Sequence, residues 1–313
     1  MSQTPVVSIV IPSFGQAEYL EETLRSVLAQ EYSPIEVIAV DGASTDGSVD
    51  ILRRYEDRLA WWVSEPDRGQ ADALNKGFAR ASGDILCWIC SDDTLLPGTV
   101  SAGVAALAAD PDALLVYGDA ELVDGAGQSL GLLPARPFDL VEMVRTCQNH
   151  VVQPGSLFTR RAWELAGPLT VESHYYFDFE LVLRIALHGR AVRLDRALGT
   201  YRLHPESKSS SGTLIKATDH ERLYAALFAR PDLPPDLRAV EAEACSRSSL
   251  TAGEYYDASG RPGAARRAYV EGLRGYPRHL DARVAGLVAR TFLPARVRDA
   301  GRAFRAARAQ GSR

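Results

Sequence analysis

Two hydrophobic rhythms alternate along the first third of the chain. Solid runs of aliphatic and β-branched residues, Val6–Ile11, Ile35–Val40, Leu59–Val63 and Ile85–Cys90, are each followed by a stretch in which apolar positions recur every three or four residues. Solid runs of this length predict strands buried on both faces, and the wider spacing predicts amphipathic helices over 18–30, 48–55, 70–81 and 99–109. In the first helix Leu20, Leu24, Val27 and Leu28 form the apolar stripe. Strand–helix alternation predicts a parallel sheet covered by helices, because a parallel crossover needs a long connection that a helix fills. Parallel strands bring their carboxyl ends to one edge. Pro12-Ser13, Asp41-Gly42 and Ser91-Asp92-Asp93 follow three of the runs. The pattern therefore predicts one polar edge, where open α/β sheets bind ligands.

From Leu114 the rhythm changes. Leu115–Asp119 and Ala120–Asp124, followed by Gly125-Ala126-Gly127, predict short strands with mixed or antiparallel pairing. Ser156–Thr159, Ala191–Leu194 and Thr200–Leu203 predict three more, the last two separated at Gly199, and a helix is expected over 179–187. Residues 205–212 read PESKSSSG, a polar small-residue loop. Beyond 213 the strand-like runs vanish, and Ala, Arg and Leu build helices broken by Pro231, Pro234, Pro235, Pro262, Pro277 and Pro294. The expected architecture is α/β: a Rossmann-like mixed, mostly parallel sheet over 1–212, with an α-helical C-terminal region over 213–313. Residues 255–277 resemble a single tetratricopeptide-type helix pair without a second copy, so no repeat array is expected. Arg296, Arg298, Arg302, Arg305 and Arg308 make the last helix basic, with Asp299 its only acid. A solvated face is the default for such a run; peripheral contact with an anionic membrane surface and homo-oligomer contact are the alternatives.

Composition excludes several classes. With 46% hydrophobic and 24% charged residues the 313-residue chain is ordinary for a globular protein. A net charge of −5 argues against nucleic-acid binding. No apolar run approaches the ~20 residues that span a bilayer, and the N-terminus lacks a basic segment followed by an apolar core. A cytoplasmic protein without a transmembrane segment is expected. The four cysteines are too few for a disulfide framework. Cys87 and Cys90 form a CxxC, but positions i and i+3 of a strand face opposite ways, so buried reduced core thiols are expected.

The chemistry concentrates after the strands. Asp92 and Asp93 stand side by side at the end of an apolar run, and their mutual repulsion calls for a cation. A hard divalent ion holding a phosphorylated ligand suits them; an acidic turn capping the next helix is the structural alternative. Asp41, in DGASTDGS, suits a nucleotide through an imide N–H or a ribose hydroxyl, and Asp46 suits the N-cap of the helix that follows. Arg68 and, more weakly, Lys76 are candidate phosphate partners or surface charges.

Taken in order, VSIVIPSF (7–14), DGASTDGS (41–48), DRGQADALNKG (67–77), ASGDILCWICSDD (81–93) and YGD (117–119) resemble the family 2 glycosyltransferases, inverting enzymes of the glycosyltransferase A-type fold. The resemblance covers residues 5–205. It implies that Pro12, Ser13, Phe14 and Asp41 hold the nucleotide, and that the metal motif falls on Ser91, Asp92 and Asp93. Cys90 stands where many relatives carry Asp or Asn. YFDFELVLRIALHG (176–189) resembles the segment bearing the catalytic base; Asp178 takes that place and Phe177 replaces the usual preceding Glu, with Glu180 as the second candidate. Tyr175, Tyr176, Phe177 and Phe179 offer an apolar wall that raises a carboxyl pKa. An N-cap role is the structural alternative for Asp178. His204 matches a position near metal and diphosphate, with Lys208 for phosphate, while His150 and Gln153 resemble the acceptor side. Trp88 and Trp163 are expected in the core.

The resemblance implies a metal-dependent (Mn2+ or Mg2+) inverting transfer from a nucleotide-diphosphate sugar, a UDP-sugar, to a glycan, lipid-linked or small-molecule hydroxyl. A sugar-1-phosphate nucleotidyltransferase is disfavoured because PSFGQAEYL lacks a GxGxR-type loop. A non-catalytic glycosyltransferase-like nucleotide- or glycan-binding or scaffold protein is the alternative, motivated by Cys90 and Phe177.

Overall fold

A computed structural model describes residues 4–208 and 213–294. The element order begins β1 (Val7–Ser13), α1 (Ala17–Leu28), β2 (Ile35–Asp41), α2 (Ser48–Arg54), β3 (Trp61–Ser64), α3 (Gln70–Arg80), β4 (Ile85–Trp88) and α4 (Thr99–Ala109). It continues with β5 (Ala113–Asp124), β6 (Ser129–Leu133), α5 (Leu140–Thr146), β7 (Val152–Thr159), α6 (Arg160–Ala166), α7 (Phe177–Ala186) and β8 (Arg190–Leu203). Five helices follow: α8 (Thr213–Phe228), α9 (Pro235–Ala239), α10 (Glu241–Ala258), α11 (Pro262–Gly275) and α12 (Ala282–Arg290). The described residues form two compact units, 4–143 with 148–208, and 144–147 with 213–294.

In the first unit eight strands share one sheet, ordered β3-β2-β1-β4-β7-β5-β6, with β8 beside β5. Strands β1 to β4 are parallel, β7 runs against β4 and β5, and β8 runs parallel to β5. The register aligns Ser13 with Asp41 and Asp41 with Ser64. Three strands thus deliver polar ends to one edge.

Alternate residues of β1 explain the layering. Val7, Ile9 and Ile11 enter a core with Leu20, Leu24 and Val27 of α1 and Leu52 of α2. Val10 points to the other face and meets α3. There Gly77 permits the closest approach, because a Cβ at that position would lie 2.3 Å from Val10 Cγ1. Phe78, one residue on, packs with Trp88, Phe158 and Trp163 at centroid distances of 4.6–6.2 Å.

The later strands differ from expectation. Leu115–Asp119 and Ala120–Asp124 are one 12-residue strand, and the two short strands expected around Gly199 are one 14-residue strand. Gly199 does not break β8. It sits under Thr94 O and Pro154, where a Cβ would meet Thr94 O at 2.8 Å. Irregular register between β5 and β8 absorbs the local mismatch.

In the second unit α10 packs between α8 and α11. The Tyr269 ring presses on Gly253, where a Cβ would lie 2.4 Å from its Cε1, and His220 Nδ1 meets Ser248 Oγ at 2.9 Å. The helix pair expected over 255–277 is α10–α11, whose first helix starts at Glu241. The arginine-rich segment from Arg296 and residues 209–212 of the polar loop lie outside the described residues. No described helix is long and apolar enough to cross a membrane.

Phe78 is 2% exposed and touches the rings of Trp88, Phe158 and Trp163. Phe78→Ala is expected to cost about 3–5 kcal/mol, read as a lowered urea midpoint at unchanged slope.

Candidate active site

A cleft of about 740 Å³ opens at the carboxyl ends of β1 and β4. Pro12, Ser13 and Phe14 form one wall, the loop 90–93 the floor, and Phe177 with Asp178 the opposite wall. Residues 201–208, leading out of β8, close the remaining side. Phe14 stands 70% exposed at the mouth.

Three short loops are fixed by side-chain carboxylates. Asp41, fully buried, accepts from Ser44 N (2.8 Å), Ser44 Oγ (2.5 Å) and Ser64 Oγ (2.6 Å). It therefore lies beneath the lining and holds the loop that carries Gly42. Asp46 accepts from Ser48 N (3.1 Å) and from Ala17 N (2.8 Å), tying the starts of α1 and α2 together. Asp67 accepts from Gly69 N at 2.7 Å and lines the cleft beside Gly42.

The acidic pair divides its labour. Asp93 is 5% exposed, and its Oδ1 accepts from Arg202 N at 2.8 Å. Burial, with the charge of Asp92, drives its carboxyl well above the usual range, against the pull of Arg202. Asp92 is more open, and its Oδ2 lies 3.1 Å from His204 Nε2. Ligand atoms of Cys90, Asp92 and Asp93 lie within 4.8 Å of one another. Closely spaced acids, one of them buried, fit a divalent cation: oxygen donors suit a hard ion, and its charge relieves their repulsion.

Arg202 organises this floor. Its side chain, 2% exposed, donates through Nε to Asp92 O (2.7 Å), through Nη2 to Glu22 (2.6 Å) and through Nη1 to the carbonyls of Asp124 and Gly125 (3.3 Å each). The guanidinium also lies over the Tyr19 ring at 4.9 Å. Thr94 and Thr200 exchange backbone and hydroxyl hydrogen bonds one step away.

Asp178 sits in the first turn of α7, whose N-cap is Tyr176, so it is free of the capping role. Burial raises its carboxyl pKa, offset in part by the Phe179 amide and the charge of Lys208. Lys208 Nζ lies 5.1 Å from the Phe177 ring centre and 5.6 Å from that of Tyr175, and donates to Gln70 Oε1 at 3.1 Å.

Of the residues singled out from sequence, Pro12, Ser13, Phe14, Ser91, Asp92, Asp93, Gln153, Asp178 and Lys208 line this one cleft. His204 adjoins it through Asp92. Arg68, His150 and Glu180 do not line it. Arg68 pairs with Asp72 at 3.3 Å, His150 is buried with Nδ1 2.8 Å from Pro137 O, and Glu180 accepts from Thr170 Oγ1 at 2.6 Å. Lys76 is held by Glu65 at 2.8 Å. Cys87 is a buried core thiol as expected. Cys90 is not. β4 ends at Trp88, and Cys90 lies beyond it at the cleft floor because the chain has already left the sheet. Burial and the two acids push its thiol well above the usual value. Arg202 is not singled out by any motif, although its setting carries a signal: Thr200, Arg202 and His204 are buried while Leu203 between them is exposed.

A mycobacterial relative, an uncharacterized glycosyltransferase of Mycobacterium tuberculosis H37Rv, is 32% identical over 234 residues, covering 72% of this chain and 87% of that protein. The model of glycosyl transferase family 2 matches residues 8–163. The chain belongs to glycosyl transferase family 2. A shorter match, 41% identical over 92 residues, is the putative teichuronic acid biosynthesis glycosyltransferase TuaG of Bacillus subtilis, covering 28% of this chain and 36% of TuaG. Two solved structures share the fold. Staphylococcus aureus TarS residues 1–349 in complex with UDP-GlcNAc superpose with TM-score 0.63 at 16% identity, covering 91% of this chain and 84% of that one. The Pyrobaculum calidifontis mannosyltransferase PcManGT, in complex with GDP-Man and Mn2+, gives 0.57 at 22%, covering 92% and 79%. This family 2 chain thus has the glycosyltransferase A-type fold, with added C-terminal helices.

Arg202→Ala is expected to cost about 3 kcal/mol, since it strips a buried cation from several acceptors and leaves Asp93 less compensated. Thermal or urea unfolding checks this; a loss below 1 kcal/mol would deny Arg202 that role.

Proposed function

We propose that this family 2 chain is an inverting, metal-dependent glycosyltransferase that moves a sugar from a nucleotide-diphosphate donor, a UDP-sugar, to a hydroxyl of a glycan or lipid-linked acceptor. The observation that carries this reading is the sharing of one cleft by the acid pair and Asp178. The nucleotide complexes of TarS and PcManGT support the donor class, and the Mn2+ of PcManGT supports a divalent ion.

On this reading Pro12, Ser13 and Phe14 bind the nucleotide, with Asp41 shaping the loop beneath it. Asp92, Asp93 and His204 would hold Mn2+ or Mg2+. When bound, such an ion supplies positive charge to the departing diphosphate. Lys208, carried by the residues after β8, adds a second cation on that side. Asp178 accepts the proton of the acceptor hydroxyl as the oxygen attacks the anomeric carbon. Its partly buried setting raises its basicity, and Phe177 keeps that side of the cleft apolar. A single displacement of this kind inverts the anomeric configuration. Gln153, anchored by Nε2 to Trp88 O at 2.9 Å, lines the acceptor end.

Asp178→Asn should lower kcat by about 10²–10⁴-fold while a melting curve stays near wild type. The acid limb of the wild-type pH–rate profile is expected above the ordinary carboxylate range, because the raised pKa leaves Asp178 protonated, and unable to accept, at pH values where a free aspartate is ionised. Lys208→Met removes a charge that favours the ionised form, so the limb should move to still higher pH. A limb that does not move would separate Lys208 from Asp178.

A further inference from the structure

We propose that Cys90 is a metal ligand, and that its sulfur turns the cation site of this chain away from Mg2+ toward borderline and soft divalent ions such as Co2+, Zn2+ and Cd2+. This rests on the cation site of the function proposed above and concerns the one position where that site carries sulfur.

Geometry comes first. Donors bound to one ion at about 2.0–2.3 Å can stand no more than roughly 4.6 Å apart. The Cys90 sulfur and the Asp92 and Asp93 carboxylate oxygens already lie within 4.8 Å of one another. Side-chain shifts of about 0.5–0.8 Å therefore bring all three to bonding distance from a common centre. The sulfur is also held facing the acids. Gln70 Nε2 donates to Sγ at 3.1 Å, and Gln153 Oε1 lies 3.7 Å away on an amide that is itself fixed to Trp88 O.

The site faces space left for a ligand. Ser13 is 3% exposed and lines the same cleft, yet its Oγ makes no hydrogen bond. An unpaired buried hydroxyl costs free energy unless a bound molecule satisfies it.

Chemistry then sets the preference. An all-oxygen site suits Mg2+, Ca2+ and Mn2+, whereas sulfur favours softer ions, and affinity rises from Mn2+ through Co2+ in any mixed site. An Asp or Asn at position 90 would leave oxygen donors beside the His204 nitrogen, with no sulfur. Cysteine adds a soft donor, so the expected order is Co2+ and Cd2+ ahead of Mn2+, with Mg2+ last.

Cobalt(II) titration of the purified full chain, alone and with UDP or GDP, tests this by absorption and calorimetry. Wild type should develop a sulfur-to-cobalt charge-transfer band in the near ultraviolet. Cys90→Ser should lose the band and about tenfold in Co2+ affinity, with Mg2+ affinity little changed. Asp92→Ala should lose binding of every ion. If divalent ions bind and need Asp92, but the band is missing or the Co2+-to-Mg2+ ratio is the same in Cys90→Ser, the sulfur ligand is wrong and the function proposed above stands. If no divalent ion binds wild type under any of these conditions, both fall.

Discussion

Arg202 ties the last strand of the sheet to the loop after β4, and the chemistry of the cleft depends on that tie. Its amide holds Asp93, its guanidinium holds the main chain of Asp92, and both grips come from one residue of β8. Thr94 and Thr200 repeat the tie one step away. Two adjacent carboxylates would otherwise splay toward solvent, where water screens them best. Held at the floor of the cleft, they keep a repulsion that a cation relieves. The folding cost of burying Asp93 is thus coupled to the readiness of the site for a cation.

The same logic runs through the rest of the edge. Asp41 spends its carboxylate on Ser44 and Ser64, so it shapes the loop at Gly42 rather than facing the cleft. Asp46 likewise spends its oxygens on the starts of α1 and α2. Such carboxylate-to-amide bonds are charge-assisted and fix loop geometry well. The acids that line the cleft, Asp67, Asp92, Asp93, Asp178 and Glu206, stand on loops or on the first turn of α7.

Period and punctuation made the parallel half of the fold legible. Solid apolar runs can only be buried strands or buried helices, and their lengths decided between them. The polar residues that follow β1, β2 and β4 marked the cleft for the same reason: strands that run parallel end together. What was hidden follows from long-range pairing. Nothing local announces that β8 continues through Gly199, since a glycine there reads as a break until Thr94 and Pro154 are seen pressing against it. Cys90 was misplaced because the apolar run outlasts the strand by two residues. Arg202 lay in plain view with its alternation reversed, polar side in, which is the mark of a strand that faces a site instead of a core. The positions of Arg68, His150 and Glu180 depend on side-chain direction, which no spacing encodes.

Phe177 shows how one replacement redistributes charge. A glutamate at this place would lie beside Asp178 and compete for Lys208. The phenyl ring instead accepts the ammonium on its face, 5.1 Å away, as Tyr175 does at 5.6 Å. The charge of Lys208 reaches Asp178 as well, lowering its carboxyl pKa against the upward push of burial. Burial alone favours the neutral acid, and a neighbouring cation favours the carboxylate. Burial and Lys208 thus act on the Asp178 carboxyl in opposite directions, and Phe177 and Tyr175 place the ammonium where it can do so.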